Sequence, residues 1–274
     1  MLAEALRSIF SQTFQSFEII VVNDGGLDVN SVLRLNKRRN VIYVNHDRNK
    51  GLGAARNTAL RVASGKYVAY LDDDDIFYTD HLETLVTFLE TTKSKVAYTN
   101  AYRRIQKNVD GNYVTLMRDL PYTYDFDYDR ILIGNSVPVI CFMHERSCVD
   151  AVGFFDETLP SLEDWEFWIR VSRYYKIHHV DRVTCEFRWR EDQSTMTSAR
   201  RQEFLGITKA IYSKHHDLTA SKPLVSLAQQ LNLQYLRLYS RGSGIHGVRA
   251  RNMLRRLFFL KRIRVAPDRA WWAC

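Results

Sequence analysis

The segment Tyr-Leu-Asp-Asp-Asp-Asp-Ile-Phe (70–77) sets four carboxylates, Asp72 to Asp75, directly behind an apolar run. Neighbouring carboxylates repel and each costs free energy to desolvate, so a cluster of this kind needs a positive partner. Two more carboxylates stand in comparable settings: Asp24 at the end of the apolar run 17–24, and Asp164 in the pair Glu163-Asp164. An EF-hand loop would use Asp72, Asp74 and Glu83 at its first, third and twelfth places. Its fifth and sixth places are Ile76 and Phe77, where a ligand and a glycine are required, and this excludes it. A solvated surface turn is the plain alternative, although the run Tyr-Val-Ala-Tyr-Leu before the cluster argues against a loop tip. The remaining chemistry is a divalent cation, Mn or Mg, held by one or two carboxylates and completed by substrate phosphates. Such an ion neutralises the aspartates and stabilises charge building on a diphosphate leaving group.

The elements around these residues are those of an α/β fold. "FEIIVVND" (17–24), "NVIYVNHD" (40–47) and "KYVAYLDD" (66–73) read as buried strands ending at turns. "GLGAARNTALRVASG" (51–65) and "TDHLETLVTFLETT" (79–92) between and after them read as helices, the second with Thr79 as N-cap. Alternation of this kind predicts a mostly parallel sheet flanked by helices, with ligands beyond the carboxyl ends of the strands. Asp24 and Asp72 to Asp75 are then expected to share one crevice. Residues 96–160 read as short strands and loops, with "LPYTYDFDYDRIL" as a packed surface loop. "LEDWEFWIRVSRYY" (162–175) reads as a helix with Phe167, Val171 and Tyr174 on one face and carboxylates in its first turn, where the helix dipole favours them. "VTCEFRWR" (183–190) alternates like a strand, and two helices follow at about 200–214 and 223–239.

Composition narrows the class. The chain has 274 residues, 46% of them hydrophobic, enough for one substantial core and a smaller appendage. Cys141, Cys148, Cys185 and Cys274 form no C-x-x-C pair and read as reduced thiols. No apolar run approaches the roughly 20 residues that span a bilayer, and no signal-peptide layout opens the chain. The expectation is a soluble, cytoplasmic domain. Residues 200–274 carry 15 Lys/Arg against three Asp/Glu, a net of +12 that leaves −4 of the +8 formal charge for residues 1–199, so a boundary falls at about residue 199.

Three motifs, "ALRSIFSQTFQSFEIIVVNDGG", "NKGLGAARNTALRVASGKYVAYLDDDD" and "LEDWEFWIRV", follow one another in an order and spacing that resembles the family 2 glycosyltransferases. The resemblance covers about residues 2 to 200. It implies an inverting enzyme of the GT-A (Rossmann-like) fold that uses a nucleotide-diphosphate sugar. By position, Asp24 is similar to the family's nucleobase contact and Asp73 to the residue facing the donor ribose. Asp74 resembles the metal ligand, with Asp72 at the head of the segment. Asp164 resembles the catalytic base, which fits a single displacement in which an acceptor hydroxyl loses its proton. Glu163 and Trp165, beside it, fall on the acceptor side. Arg56, with Asn57, opens a helix behind glycines, facing the donor's phosphates or pairing with a neighbouring carboxylate. Where many members carry a histidine after the last strand, this chain has Arg190, suited with Arg188 to a diphosphate. The family's first apolar strand, which would lie beside "FEIIVVND", has no counterpart. The expectation is a domain, 1–199, belonging to a longer chain, begun at a misplaced start codon, or completed by another segment.

The region 200–274 reads as a basic helical extension. "VRARNMLRRLFFLKRIRV" (248–265) would form a basic amphipathic helix, on an anionic membrane at its inner face or packed on the body. A lipid-linked or protein acceptor would suit that placement, and no nucleic-acid-binding motif accompanies the charge. Two other functions stay open: a sugar nucleotidyltransferase, whose glycine-rich activating loop is missing here, and a non-catalytic module of a larger assembly.

Overall fold

The computed structural model describes residues 1–33, 41–190 and 203–240. The basic segment 248–265 and Cys274 lie outside the described residues. The elements are α1 (Leu2–Phe10), β1 (Ile19–Asn23), α2 (Asn30–Leu33), β2 (Val41–Asn45), α3 (Leu52–Val62), β3 (Tyr67–Ala69) and β4 (Ile76–Phe77). There follow α4 (His81–Thr92), β5 (Val96–Val109), β6 (Asn112–Asp119), α5 (Tyr128–Ile131), β7 (Phe142–Glu145) and α6 (Cys148–Val152). The last are α7 (Glu163–Tyr174), β8 (Ile177–Arg190), α8 (Phe204–Lys214) and α9 (Pro223–Ser240).

The α/β class holds, with helices flanking sheets, but the strand directions need correcting. β1 and β2 pair in parallel as a separate two-stranded sheet, from Ile19↔Val41 to Asn23↔Asn45. The larger sheet runs β3-β7-β5-β8-β4, with β6 also on β5. Only β5 and β8 are parallel in it; the β3–β7, β5–β7, β4–β8 and β5–β6 pairs are antiparallel. The cause lies in the region read as short strands. β5 instead runs for 14 residues and folds back on β6 through Asp110 and Gly111, at φ 51° and 84°. Two positive φ values are what a tight two-residue hairpin requires.

The third apolar run is strand only over Tyr67–Ala69 and ends before the aspartates. Because β3 and β4 close opposite ends of the strand path, residues 70–75 carry the acidic run from one edge of the sheet to the other. Among the described residues β1 pairs only with β2 and β3 only with β7. α1 docks at β4 and the start of α4: Gln12 Nε2 donates to Tyr78 O (2.7 Å) and Leu82 N to Gln12 Oε1 (3.0 Å).

α4 buries Leu82, Leu85 and Leu89, a helical stripe against the sheet. α7 buries Phe167, Trp168 and Val171, whereas Tyr174, expected on the same face, is 64% exposed at the helix end. Cys141, Cys148 and Cys185 are free and buried. Ile207 and Ile211 of α8, with Val225 and Ala228 of α9, belong to the same core cluster as the sheet and α7.

Candidate functional site

A cavity of about 220 Å³ opens where the acidic bridge, the end of β8, the start of α7 and residues 135–140 meet. Asp72, Asp74, Asp75, Glu163 and Asp164 all line it, with Arg56 and Arg188. The positive partners of the aspartates are arginines from distant segments. Arg56 of α3 gives Nη2 to Asp72 Oδ1 (3.2 Å) and Nη1 to Glu163 Oε1, so one guanidinium joins the acidic bridge to α7. Burial works against the charge on Arg56, but Asp72 and Glu163 outweigh it and hold the group cationic. Arg190, 2% exposed, gives Nη1 to Asp74 Oδ2 (3.1 Å). Burial and the charges of Asp72 and Asp73 push the Asp74 carboxyl up against that pairing. Asp75 is buried and accepts Arg188 N at 2.9 Å; burial, then Asp72 and Asp74, push its carboxyl well above the ordinary range.

Asp164 sits in the first turn of α7, two residues after Leu162, whose φ of 61° is unusual for a residue with a side chain. Its Oδ1 accepts Trp165 N (2.8 Å) and its Oδ2 accepts Asn135 Nδ2 (3.0 Å). Burial raises its carboxyl above the usual value, although Arg56 and these two hydrogen bonds pull the other way. A raised carboxyl facing a cavity is suited to receive a proton.

Asp24 is not part of this cavity's lining, which corrects the expectation of one shared crevice. Its Oδ1 meets His46 Nδ1 (2.6 Å) and Lys50 N (2.8 Å), and its Oδ2 accepts Gly51 N (2.7 Å). Burial opposes the charge, but these bonds hold the carboxyl below its ordinary value. The carboxylate therefore braces the turn from β2 into α3. Gly25 beside it has φ 73°, and a Cβ there would meet Asn49 N at 2.4 Å, so the turn after β1 needs glycine where it packs against the β2–α3 turn. A second, shallower hollow at the ends of β1 and β2 is lined by Asn23, Asp28, Tyr43 and Asn45.

Trp165 is also corrected. Its ring is 1% exposed and donates Nε1 to Ile131 O (2.6 Å), because its place on α7 turns it into the core. Asn57 binds Phe155 O and Glu157 Oε1, a structural role. Arg190, expected on the donor's phosphates, is engaged with Asp74, and Arg56, open between phosphates and a neighbouring carboxylate, pairs with Asp72 and Glu163. Asp73 is the exposed member of the cluster and does not line the cavity. Asn135 and Ser161 line the cavity and carried no recognisable signal in the sequence.

The donor set can be tested against a divalent cation. Among the described residues no three His, Cys, Asp or Glu side chains are grouped to hold an ion. Asp72 and Asp74 both line the cavity, and one carboxylate oxygen of each is taken by an arginine. Magnesium and manganese commonly take one or two carboxylates plus substrate phosphates, so the pair fits such an ion.

Helix-flanked sheets with an acidic crossing segment and a carboxylate at a facing helix start are in keeping with the GT-A type of glycosyltransferase that the sequence resembles, and the comparisons show the family. The model of "Glycosyl transferase family 2" matches residues 1–148, and this chain belongs to that family. It is 30% identical over 207 residues to the uncharacterized glycosyltransferase YwdF of Bacillus subtilis, covering 74% of this chain and 76% of that one. It is 35% identical over 187 residues to WfaP of Escherichia coli, a UDP-Glc:alpha-D-GlcNAc-diphosphoundecaprenol beta-1,3-glucosyltransferase, covering 63% of this chain and 70% of that one. Other relatives are longer: the chain spans 30% of the length of a glycosyltransferase of Rickettsia bellii, at 27% identity over 76% of this chain. Among solved structures, S. aureus TarS 1-349 in complex with UDP-GlcNAc superposes with a TM-score of 0.61 at 19% identity, over 93% of this chain and 77% of that one. The mannosyltransferase PcManGT of Pyrobaculum calidifontis, in complex with GDP-Man and Mn2+, gives 0.57 at 16%, over 93% and 74%. At these identities the structures speak to the fold.

Proposed function

We propose that this chain is an inverting glycosyltransferase that moves a sugar from a nucleotide-diphosphate donor to an acceptor hydroxyl. The observation that carries it is one cavity with two kinds of carboxylate on its walls: Asp72 and Asp74 on the acidic bridge, Asp164 at the start of α7. Asp164 is assigned as general base. It takes the acceptor's proton as the hydroxyl attacks the anomeric carbon, and its raised carboxyl makes it the stronger base. Asp74 and Asp72 are assigned to a divalent cation, manganese or magnesium. When bound, that ion would stabilise the charge of the departing nucleoside diphosphate. Arg56 fixes the distance between the two walls, and the buried Asp75 anchors the bridge to β8 through Arg188 N.

The acceptor reading favoured by the WfaP relative is a polyprenyl-diphosphate-linked sugar, with the basic segment 248–265 on the anionic membrane surface. No described helix is long and apolar enough to cross a membrane. The test pairs UDP-glucose, UDP-GlcNAc and GDP-mannose with a polyprenyl-diphosphate-linked GlcNAc acceptor and manganese. Asp164→Asn should lower turnover by roughly 100-fold or more with donor affinity near wild type. Donor affinity falling in step with turnover would place Asp164 in donor binding instead.

A further inference from the structure

Asp164 is aimed by a neutral amide, and the segment carrying that amide is fastened from the far end of the chain. Residues 131–136 join α5 to the strand region, and four of their carbonyls are engaged by side chains from elsewhere. Ile131 O accepts Trp165 Nε1 (2.6 Å) and Ser136 O accepts the Tyr124 hydroxyl (2.7 Å). Leu132 O accepts Gln229 Nε2 of α9 (2.7 Å). Ile133 O accepts both the Tyr212 hydroxyl of α8 (2.6 Å) and Asn232 Nδ2 of α9 (3.1 Å), and Asn232 Nδ2 also reaches Tyr212 Oη (2.9 Å). The C-terminal end of α8 also grips α7, two residues beyond Asp164. Lys214 Nζ (2.9 Å) and His215 Nε2 (3.1 Å) meet Glu166 Oε1, and Lys214 also binds Asp156 (2.6 Å).

We propose that Asn135 is a positioning residue for Asp164, and that α8 and α9 hold it in place by bracing residues 131–136. This rests on the reading of Asp164 as the base. One N–H on each carboxylate oxygen, from Trp165 and Asn135, blocks rotation about the Cβ–Cγ bond. Each oxygen keeps a lone pair for an incoming hydroxyl. The amide is the right group for the task. It donates a hydrogen bond without adding a charge, so the carboxylate is aimed but remains able to take a proton. The charged groups around Asp164 are Arg56 on α3, Glu163 on α7 and Asp72 on the bridge, and Glu163 shares Arg56 with Asp72. Without Asn135 the carboxylate would keep its charge and lose its direction. A misplacement of about 1 Å at a reacting group costs on the order of 100-fold in rate.

The test compares Asn135→Ala and the pair Tyr212→Phe with Asn232→Leu in the full chain, using UDP-GlcNAc, UDP-glucose and GDP-mannose with manganese. Asn135→Ala should lower kcat by roughly 10- to 100-fold with donor Kd within about twofold. The acid limb of the kcat–pH profile should move to higher pH, because the lost hydrogen bond favoured the charged carboxylate. The Tyr212/Asn232 pair, which leaves Asn135 in place, should lower kcat by a smaller factor at unchanged donor Kd. This pair also decides the case where Asn135→Ala does not fold. Carbon-13 titration of the Asp164 carboxyl in wild type and Asn135→Ala probes the same contact without turnover: an upward shift in Asn135→Ala supports the role, and an unmoved one overturns it. If Asp164→Asn abolishes turnover while Asn135→Ala changes neither kcat nor the acid limb, Asn135 does not position the base. If the Tyr212/Asn232 pair matches wild type, the helices do not brace it. If Asp164→Asn itself keeps turnover, the assignment of the base falls, and the NMR titration still judges the contact.

Discussion

The two carboxylate walls of the cavity differ in their direct partners, although burial raises the carboxyls of both Asp74 and Asp164. Asp72 and Asp74 each lie against a guanidinium, Arg56 and Arg190. Asp164, one residue from Glu163, has two neutral N–H donors, and it is Glu163 that takes Arg56. The difference suits the roles proposed for each group. A group that meets a cation or a diphosphate site has to stay charged, and a nearby arginine favours the charged form. A base has to change its charge during the reaction, and a direct ion pair would make it a weaker base. Arg56 still pulls the Asp164 carboxyl down from a distance, but its direct contacts go to Glu163 and Asp72, so on the proposed reading the base is not held in a direct ion pair.

The largest test of this contrast is Asp74→Ala. It should abolish manganese-dependent donor binding, measured by calorimetry with and without the ion, while the thermal transition survives. Equal donor affinity under both conditions in wild type and variant would remove Asp74 from the metal wall. Next comes the acid side of stability at α7. Burial opposes the charge on Glu166, but His215, Arg170 and Lys214 pull its carboxyl down from 4.5 to about 2. A depressed carboxyl stabilises the fold fully above its unfolded value, and that contribution is lost as pH falls toward about 2. Glu166→Gln should therefore cost on the order of 3 kcal/mol at neutral pH, with the gap to wild type closing as pH drops from 4.5 toward 2. A gap independent of pH would mean that packing, not charge, holds this corner. The smallest effect is expected at Arg190. Arg190→Met removes a cation that competes for Asp74, so manganese affinity, read from the free-ion electron spin resonance signal, should rise by up to roughly 10-fold. Weaker manganese binding would show Arg190 supporting the metal wall.

Much of this contrast was legible only in its parts. The aspartates and the Glu163-Asp164 pair stand out because carboxylates directly follow or open strongly apolar segments, and Asp72, Asp74, Asp75, Glu163 and Asp164 do line one cavity. Their partners left no mark: Arg56 meets Glu163 across 107 positions and Arg190 meets Asp74 across 116, separations that no local pattern encodes. Asn135 sits in a short Gly-Asn-Ser stretch that reads as an ordinary turn. The β5–β6 hairpin did carry a signal in Asp110-Gly111, but its strands are too polar to look like core. β6 is largely exposed, with Leu116 54% open. Asp24 adds a different case, since a carboxylate after an apolar run can brace a turn as readily as it can face a ligand, and the apolar run does not show the bonds to Lys50 N and Gly51 N.

The separation of β1 and β2 from the larger sheet has a consequence in time. A two-stranded sheet is marginal by itself and persists here through what packs on it, chiefly α3. Such a unit can open and close as a small cooperative piece while β5 and β8 stay paired. Amide hydrogens of Ile20 to Val22 should then exchange with solvent deuterium well before those of Val96 to Ala101. The turn braced by Asp24 would come and go with that opening, so the rim of the molecule next to the cavity keeps its own clock.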